Sequence, residues 1–345
     1  MYRCLELAST ASGYTAPNPM VGAVLTCDER IIGEGFHQKY GEPHAETNAI
    51  NSVKDKNLLK RCTLYVNLEP CSHQGKTPPC VDLIIEKKIP HVVTGCKDPN
   101  PLVAGRGIEK LRSAGVKVTE NILKDECEHL NIRFITFHRK KRPYIILKWA
   151  QTADGFIDVK RDENIIGRPT WITGWYEQTL VHKWRAEEQA IMVGTNTAII
   201  DNPLLNVRRW HGRQPIRITI DKDLRLPQTL NLFDESLPTI VFTEKSIPNI
   251  QYPISNIQYC TVPFDEQLPQ HILSELFNRK ITSLFIEGGA KLLQSFIDAG
   301  FWDEARIFTG QTLFGDGVKA PVLPKRFTQT VKYNTADLIV QYAKS

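Results

Sequence analysis

The order of apolar and polar positions in the first part of the chain predicts alternating strands and helices. Residues 18–25 pass from a turn into an apolar strand, and residues 31–35 form its hairpin partner. Residues 44–53 have helical spacing, and an apolar strand follows at 64–68. The remaining elements of this part are predicted as a helix at 81–87, a strand at 91–95 and a helix at 107–114. Such alternation favours a layered α/β domain.

The same alternation starts again after residue 143. Strands are predicted at 144–149, 190–193, 216–220, 239–242, 284–286 and 304–309, and helices at 180–187 and 291–299, the last of which stops at Gly300. A second α/β domain of ordinary size therefore follows the first. We predict a first domain at 1–138, a basic linker at 139–143 and a second domain at 144–345.

Composition adds limits on compartment and partners. The chain has 345 residues, 41% of them hydrophobic, with no N-terminal signal pattern and no apolar run long enough to span a bilayer. Its eight cysteines need not form disulfides in a chain of this size, so we expect free thiols in a reducing cytoplasm. We expect a homo-oligomer that acts on a small molecule and binds neither membrane nor nucleic acid.

The net charge of +5 is concentrated at one place. Residues 1–142 carry 21 Lys and Arg against 16 Asp and Glu, whereas the rest carries 22 of each. Four basic residues at 139–142 account for most of this excess. A basic run of this length can contact nucleic acid. Here it ends at Pro143 and no wide basic face accompanies it, which favours a solvated linker.

Four residues of the first domain form a metal-site pattern. His44, Cys71 and Cys80 offer one imidazole and two thiols, a set that suits tetrahedral Zn²⁺ with one position open to water. Zn²⁺ lowers the pKa of such a water toward about 7. Glu46, two residues after His44, is placed to move protons between this water and a leaving amine. The pattern is that of the zinc nucleobase deaminases.

A structural zinc site is the alternative, and it would need four protein ligands. His37 or His73 could supply the fourth. A structural site has no need of a glutamate beside the histidine or of a proline before the cysteine, so the catalytic interpretation is favoured.

These residues, with their surroundings, resemble the bifunctional deaminase–reductase family of riboflavin biosynthesis. In the first domain the resemblance rests on the segments 17–22, 41–46, 68–80, 98–101 and 104–107. The spacing is the discriminating feature. Generic nucleobase deaminases have C-x-x-C, whereas eight residues separate Cys71 from Cys80 here, as is typical of this family.

The resemblance implies a cytidine-deaminase-like α/β/α layered domain in which His44, Cys71 and Cys80 bind zinc and Glu46 shuttles protons. The implied substrate is a diaminopyrimidinone with a ribosylamino 5-phosphate. Its ring amine is replaced by oxygen. In this family Asn18 and His73 would contact the pyrimidine, and Lys76 would contact the phosphate. Asn18 could equally be a turn residue between two prolines, and Lys76 a solvated loop lysine.

The second domain resembles the reductase half of the same family, whose α/β fold is similar to dihydrofolate reductase. The matching segments are 148–155, 171–173, 185–186, 193–197, 201–208 and 287–289. The resemblance implies NADPH as the cofactor and reduction of the ribosyl group to a ribityl chain. A glycine turn at 288–289 before a predicted helix would suit the cofactor pyrophosphate, and no G-x-G-x-x-G motif is present.

The family also implies individual roles in the second domain. Arg185 and Arg208 would clamp the substrate phosphate with forked donors, and Asp201 and Glu287 would hold ribose and pyrimidine. The full set implied for the cofactor is Ala150, Trp171, Thr197, Asp201, Gly288 and Gly289. The set implied for the substrate of this domain is Arg185, Leu205, Arg208 and Glu287.

Two departures from the family pattern stand out. Relatives have a few more residues before Met1, including an acidic one that starts the first helix. The stretch 156–170 is longer than usual, and Pro169 stands where relatives often have a serine that can touch substrate.

Two rival functions remain open from the residues. One is deamination of free nucleobases or tRNA beside a degenerate second domain, and the other is a zinc-stabilised scaffold. Glu46→Gln separates them, because a scaffold would keep its zinc and its function, whereas a deaminase would keep zinc and lose turnover.

Overall fold

The structure, a computed structural model, describes residues 1–73, 78–100, 104–161, 170–246, 256–324, 328–332 and 336–343. The chain divides into two compact units, Met1–Lys141 and Arg142–Ser345. Within the described ranges no helix is both long and apolar enough to cross a membrane.

The first unit is built on one five-stranded sheet with the order β2-β1-β3-β4-β5. Its strands are β1 (Gly22–Cys27), β2 (Arg30–Phe36), β3 (Thr63–Leu68), β4 (His91–Cys96) and β5 (Lys117–Thr119). Strand β1 is antiparallel to both β2 and β3, whereas β3, β4 and β5 are parallel. The predicted hairpin and the two following strands are thereby confirmed.

Helices cover both faces of this sheet. They are α1 (Tyr2–Ser9), α2 (Ala45–Ser52), α3 (Cys80–Glu86), α4 (Arg106–Ser113), α5 (Lys124–Leu130) and α6 (Ile132–Lys140), with a 3₁₀ turn at Lys56–Arg61. One apolar cluster joins the sheet to α2 and α3, and a second joins it to α1 and α5. This is the α/β/α layering expected from the sequence.

The basic run expected to be a linker is partly helical. Arg139 and Lys140 form the end of α6, and Lys141 follows in the left-handed conformation with φ 54°. Arg142 belongs to the second unit, where its guanidinium donates to both carboxylate oxygens of Asp303 at 2.5 and 2.8 Å. The helix α6 and this ion pair therefore give residues 139–142 a defined structure, whereas their charge alone favoured a solvated linker.

The second unit contains a nine-stranded sheet with the order β11-β10-β9-β8-β12-β6-β13-β16-β15. Its strands are β6 (Tyr144–Gln151), β8 (Ala190–Val193), β9 (Ile216–Ile220), β10 (Thr239–Thr243), β11 (Ile257–Thr261), β12 (Ser283–Glu287), β13 (Glu304–Gly310), β15 (Thr328–Lys332) and β16 (Ala336–Tyr342). All neighbours from β11 to β13 are parallel, and β16 is antiparallel to β13 and β15. A separate two-stranded ribbon pairs β7 (Phe156–Asp158) with β14 (Val318–Lys319).

In the described part of this unit the α-helices are α7 (Trp175–Glu187), α8 (Thr195–Asp201), α9 (Leu268–Asn278) and α10 (Ala290–Asp298), with a 3₁₀ turn at Asn231–Phe233. Helix α7 begins five residues before the predicted start at 180, because its first turn carries exposed Trp175 and Tyr176 instead of a continuing apolar stripe. The four parallel strands β9, β8, β12 and β6 end at one edge of the sheet. Ligands of parallel α/β sheets bind outside this carboxyl edge.

Candidate functional site

Three elements of the first unit bring the predicted metal ligands together. His44 is the N-cap of α2, Cys71 follows the end of β3, and Cys80 is the first residue of α3. Their ligand atoms all lie within 4.8 Å of one another. Nδ1 of His44 is 3.5 Å from Sγ of Cys71 and 3.4 Å from Sγ of Cys80.

This geometry fits zinc. A tetrahedral Zn²⁺ with sulfur at about 2.3 Å and nitrogen at about 2.0 Å separates the two ligand atoms by about 3.5 Å. The observed nitrogen–sulfur separations match that edge length without movement of the backbone. Three protein ligands are also the number that a catalytic zinc site provides, since its fourth position stays open.

The surroundings of the thiols favour the charged form that a metal requires. Hydrogen bonds from Cys80 and His44 lower the pKa of the Cys71 thiol, and the backbone N–H of Cys80 also donates to Sγ of Cys71 at 3.3 Å. A thiol must lose its proton to bind zinc. The stabilised thiolate therefore prepares the site for the ion.

Glu46 lies in the first turn of α2 and is 3% exposed. Burial raises the pKa of its carboxyl group to about 7, and the neighbouring Cys71 thiolate adds to the rise. It is not one of the three clustered ligands. A buried carboxyl group that gains and loses a proton near neutral pH is suited to general acid–base work.

His37 is not the fourth ligand that the sequence left open. Its Nε2 lies 3.2 Å from Nδ2 of Asn18, and its Nδ1 lies 3.2 Å from the carbonyl oxygen of Pro43. Burial lowers the pKa of the ring, which is 2% exposed. A neutral ring that donates from Nδ1 to Pro43 can accept from the Asn18 amide, so the two side chains form a polar pair beside His44, whose ring centre is 5.5 Å away.

Of the other residues predicted for the first unit, His73 is exposed and is not part of the ligand cluster found among the described residues. Lys76 lies outside the described residues. Asn18 is half-buried, and its pairing with His37 was not foreseen from the sequence.

Glu69 fixes the segment that carries Cys71. Its two carboxylate oxygens accept four backbone N–H groups, from Asp98 at 3.3 Å, Gly105 at 2.9 Å, Gly107 at 3.0 Å and Ile108 at 3.4 Å. Three of these groups belong to the start of α4, where unpaired N–H donors favour a negative charge. Glu69 thereby ties the end of β3 to α4.

The second unit has a cavity of about 870 Å³ at the carboxyl edge of its sheet. The cavity walls include every residue that the sequence predicted for cofactor or substrate in this unit: Ala150, Trp171, Arg185, Thr197, Asp201, Leu205, Arg208, Glu287, Gly288 and Gly289. Residues spread over 140 positions of the chain thus meet in one place. Pro169 lies outside the described residues.

Arg185 and Glu287 form a buried ion pair in the cavity wall. Nε and Nη2 of Arg185 each donate to one carboxylate oxygen of Glu287 at 2.7 Å, and Nη1 donates to the carbonyl of Asn206 at 3.1 Å. The forked donors that the sequence assigned to a substrate phosphate are therefore engaged with protein acceptors. Arg208 is exposed, and its Nη1 donates to Oδ1 of Asn206 at 3.1 Å.

Two cavity residues were not among the predicted site residues. Burial lowers the pKa of Lys148 on β6, while the nearby Glu287 carboxylate opposes that shift. His182 on α7 accepts the backbone N–H of Arg208 at Nδ1, and burial together with Arg185 lowers its pKa to about 4. Lys148 begins the family-like segment 148–155 but was given no role there, and His182 belongs to no motif; the fold brings both into the cavity wall.

The glycine turn before α10 leaves room for a ligand backbone. Gly288 and Gly289 have φ angles of 87° and 80°, which side-chain-bearing residues rarely adopt. A Cβ atom on Gly289 would lie 3.4 Å from Oγ1 of Thr197 and 3.7 Å from the backbone of Gly194. A side chain at Gly289 would thus contact the residues that follow β8, and the turn lines the cavity.

Comparison with known families assigns a class to each unit. Residues 1–96 match the cytidine and deoxycytidylate deaminase zinc-binding region, and residues 143–339 match the RibD C-terminal domain. The molecule is thus a zinc-dependent deaminase joined to a reductase. The chain belongs to the RibD family of riboflavin biosynthesis proteins.

Individual relatives agree over nearly the full length. The riboflavin biosynthesis protein RibD of Aquifex aeolicus is 40% identical over 320 residues, covering 92% of this chain and 88% of the relative. The Escherichia coli K12 protein is 34% identical, covering 92% and 89%. The crystal structure of a diaminohydroxyphosphoribosylaminopyrimidine deaminase/5-amino-6-(5-phosphoribosylamino)uracil reductase from Thermotoga maritima is 38% identical with a TM-score of 0.87, covering 100% and 97%.

The class determines the cofactors. The deaminase region binds zinc through the His–Cys–Cys cluster, and the reductase domain of this family uses NADPH. The chain therefore combines hydrolase and oxidoreductase activities in riboflavin biosynthesis.

Proposed function

We propose that the chain catalyses two successive steps on one phosphorylated pyrimidine. The first is hydrolytic deamination of 2,5-diamino-6-ribosylamino-4(3H)-pyrimidinone 5′-phosphate. The second is NADPH-dependent reduction of its ribosyl group, which gives 5-amino-6-ribitylaminouracil 5′-phosphate. The two activities named for the Thermotoga maritima relative, which covers this chain in full, support both steps. The single observation that carries the proposal is the presence of a His–Cys–Cys cluster in one unit and a charged cavity in the other.

In the deamination, His44, Cys71 and Cys80 would hold the ion. When bound, Zn²⁺ supplies the Lewis acidity that makes water a nucleophile near neutral pH. Glu46 would take a proton from the attacking water and return one to the departing amine, so that ammonia leaves and oxygen replaces it. Its burial and its pKa of about 7 support both halves of that exchange.

Positioning of the pyrimidine is assigned to Asn18 and His73. The Asn18 amide, oriented by its bond to His37, would meet polar atoms of the ring. His73 is proposed as a further ring contact, and Lys76 as a contact of the 5′-phosphate. A compact ammonium group suits a phosphate as a point charge.

In the reduction, NADPH supplies a hydride when bound, and the protein supplies orientation and a proton. The hydride adds to C1′ of the sugar, the bond from C1′ to the ring oxygen breaks, and that oxygen takes up a proton. Lys148 is suited to donate it, because burial lowers the pKa of its ammonium group and the nearby Glu287 carboxylate opposes that shift. Arg208 would bind the substrate phosphate, with Arg185 holding Glu287 and the Asn206 loop in place.

On the cofactor side, Ala150, Thr197, Gly288 and Gly289 are assigned to the NADPH backbone, and Trp171 and Asp201 to its rings and ribose. The close packing of Thr197 on the glycine turn supports this grouping. Leu205, 2% exposed, would pack on the substrate.

We further propose that residues 1–138 act as the deaminase domain and 144–345 as the reductase domain, joined by 139–143. The two compact units support this division. A cytoplasmic location and a homo-oligomeric state are also proposed. The eight cysteines in this chain favour a reducing compartment, and light scattering would give the oligomeric state.

Mass spectrometry of the product tests the function directly. Zinc-loaded protein incubated with the diaminopyrimidinone ribosyl phosphate and NADPH should yield a product that has exchanged an amine for oxygen and gained two hydrogens. Without NADPH, only the exchange should occur. Deamination that never leads to added hydrogen would refute the reductase assignment, and an unchanged substrate with confirmed zinc occupancy would refute both.

A further inference from the structure

The cavity of the second unit has a basic residue to which no motif assigns a role. Arg225 lies in the cavity wall, five residues after the end of β9, and is exposed. Its guanidinium group forms no ion pair or hydrogen bond with the residues that the structure describes. An arginine that faces a ligand cavity with all its donors available is equipped to bind an anion.

The other cations of the same region are already neutralised. Nζ of Lys222 lies 3.4 Å from Oε2 of Glu244, and Nζ of Lys245 lies 3.1 Å from Oδ1 of Asp223. Arg217, fully buried, pairs with Asp234 at 2.8 Å. Among the described basic residues close to the carboxyl end of β9, Arg225 is therefore the one left without an ion pair, whereas Lys291, which also lines the cavity, lies at the start of α10.

The backbone beside Arg225 is held in one conformation. Asp221, 2% exposed, accepts the backbone N–H of Arg225 at 3.0 Å and that of Leu226 at 2.8 Å. Both carboxylate oxygens of Asp221 are thereby occupied by backbone donors. Asp221 therefore holds the loop and Asp223 is engaged by Lys245, which leaves the guanidinium group of Arg225 to an external partner.

Strand order indicates which part of the cofactor reaches Arg225. Along the carboxyl edge the order is β9, β8, β12 and β6. The charged residues Lys148 and Glu287 lie on β6 and β12, so the reacting nicotinamide belongs at that end. Neighbouring strands are about 4.8 Å apart, which places β9 about 10 Å from β12. A dinucleotide laid across the edge with its middle at Gly288 and Gly289 thus directs its adenosine half toward β9.

We propose that Arg225 binds the 2′-phosphate of the NADPH adenosine and that this contact sets the preference for NADPH over NADH. The proposal rests on the proposed reductase function and names the residue that selects its cofactor. NADH carries a hydroxyl at the same carbon and offers Arg225 no anion. A bond between a guanidinium and a phosphate is charge-assisted and stronger than one between neutral groups.

Binding of fragments tests the proposal separately from catalysis. Calorimetry would compare adenosine 2′,5′-bisphosphate with adenosine 5′-monophosphate, which differ only in the 2′-phosphate. Arg225→Gln should weaken binding of the bisphosphate by about 10- to 100-fold and change binding of the monophosphate by less than about twofold. The same contrast should hold for NADPH and NADH. Arg225→Lys should retain part of the preference, because it keeps the charge without the planar fork.

Lys222→Gln is the matched control, since it removes a cation from the same loop that is engaged with Glu244. It should leave the ratio of NADPH to NADH affinity unchanged. Retained preference in Arg225→Gln, or its loss in Lys222→Gln, would overturn the proposal. So would equal weakening of both cofactors by Arg225→Gln, because that would assign Arg225 to a part common to NADH.

Failure of the underlying function gives a different result. If the wild-type protein reduced its substrate with neither cofactor, the reductase assignment itself would fall. If it reduced the substrate selectively with NADPH and Arg225→Gln kept that selectivity, only the role of Arg225 would be wrong. Unchanged NADH affinity in Arg225→Gln shows that the variant is folded.

Discussion

Arg185 and Glu287 face each other in the cavity wall as a two-pronged ion pair, with both nitrogen–oxygen distances at 2.7 Å. Their side chains are 11% and 9% exposed. The arginine comes from α7 and the glutamate from the end of β12, so the pair links a helix to the strand that precedes the glycine turn. The third guanidinium nitrogen, Nη1, holds the Asn206 carbonyl. Arg185 is therefore placed to shape the site, while Arg208 keeps donors for a substrate.

Arg185→Met should destabilise the second unit, because it leaves the Glu287 carboxylate buried without its partner. Breaking a buried pair from one side costs about 3–5 kcal/mol. Chemical denaturation would measure this, with the second unit identified as the transition that NADPH shifts to higher denaturant. The double variant Arg185→Met with Glu287→Met should recover much of the loss. A double variant less stable than the single one would contradict the pairing as the cause.

Removing the Glu46 carboxylate should separate chemistry from metal binding. Glu46→Gln keeps the size of the side chain and leaves His44, Cys71 and Cys80 untouched. Zinc content measured by plasma emission should stay at one ion per chain, while ammonia release should fall by about 10²- to 10⁴-fold. Reduction of substrate that has already been deaminated should continue at the wild-type rate. Loss of zinc from this variant would instead assign Glu46 to the ligand set.

Zinc removal should inactivate one unit only. Dialysis against a chelator is expected to abolish ammonia release, because the water-activating ion is lost. The cavity of the second unit contains none of the three metal ligands, so NADPH oxidation with deaminated substrate should persist. Re-addition of Zn²⁺ should restore ammonia release. Parallel loss of both activities would show that the reductase unit also depends on the metal.

Glu69→Gln should loosen the attachment of the Cys71 segment to α4. The amide replaces one accepting oxygen by a donor that faces the backbone N–H groups now bound by Glu69. Loss of such a charged acceptor costs about 2 kcal/mol. Thermal unfolding of the first unit and competition with a zinc-binding dye would measure stability and affinity, and both should fall. Glu29→Gln, on the exposed hairpin, is the matched control and should change neither.

His182 should make the second unit less stable in acid. Its pKa is about 4 in the folded chain, below the ordinary value near 6.5, so the unfolded chain takes up a proton first as pH falls. The folded state then loses stability between about pH 6.5 and pH 4, by about 2 kcal/mol after allowance for solvent screening. Denaturation at a series of pH values should show a smaller slope for His182→Gln. His211→Gln, an exposed site, should keep the wild-type slope.

Local pattern was sufficient for most strands with continuous apolar runs, although β16 and helix α9 were not predicted. The strands at Ala190–Val193 and Ser283–Glu287 coincide with predicted runs to within one residue at each end. Helix α8 was missed, because its sequence, Thr195–Asp201, lacks a helical apolar stripe. The position of β12 between β8 and β6 could not be predicted either, because the sequence of a strand does not show which distant strand it pairs with.

The metal cluster was predictable for a different reason. Its ligands sit in short motifs whose spacing carries chemical meaning, and the structure brings their atoms together. His37, His182 and Arg225 had no such motif. A single basic residue in a sequence is usually a surface residue, and its role emerges only when strand order shows which edge it faces.

The central place of β12 has a consequence for synthesis on the ribosome. Strand β6 is synthesised early in the second unit. Its neighbour in the sheet, β12, is synthesised much later, because it ends only at Glu287. The carboxyl edge therefore stays incomplete until that strand and the following glycine turn leave the exit tunnel. The zinc ligands, by contrast, are all made by residue 80. A nascent chain can close its metal site long before it can admit a dinucleotide.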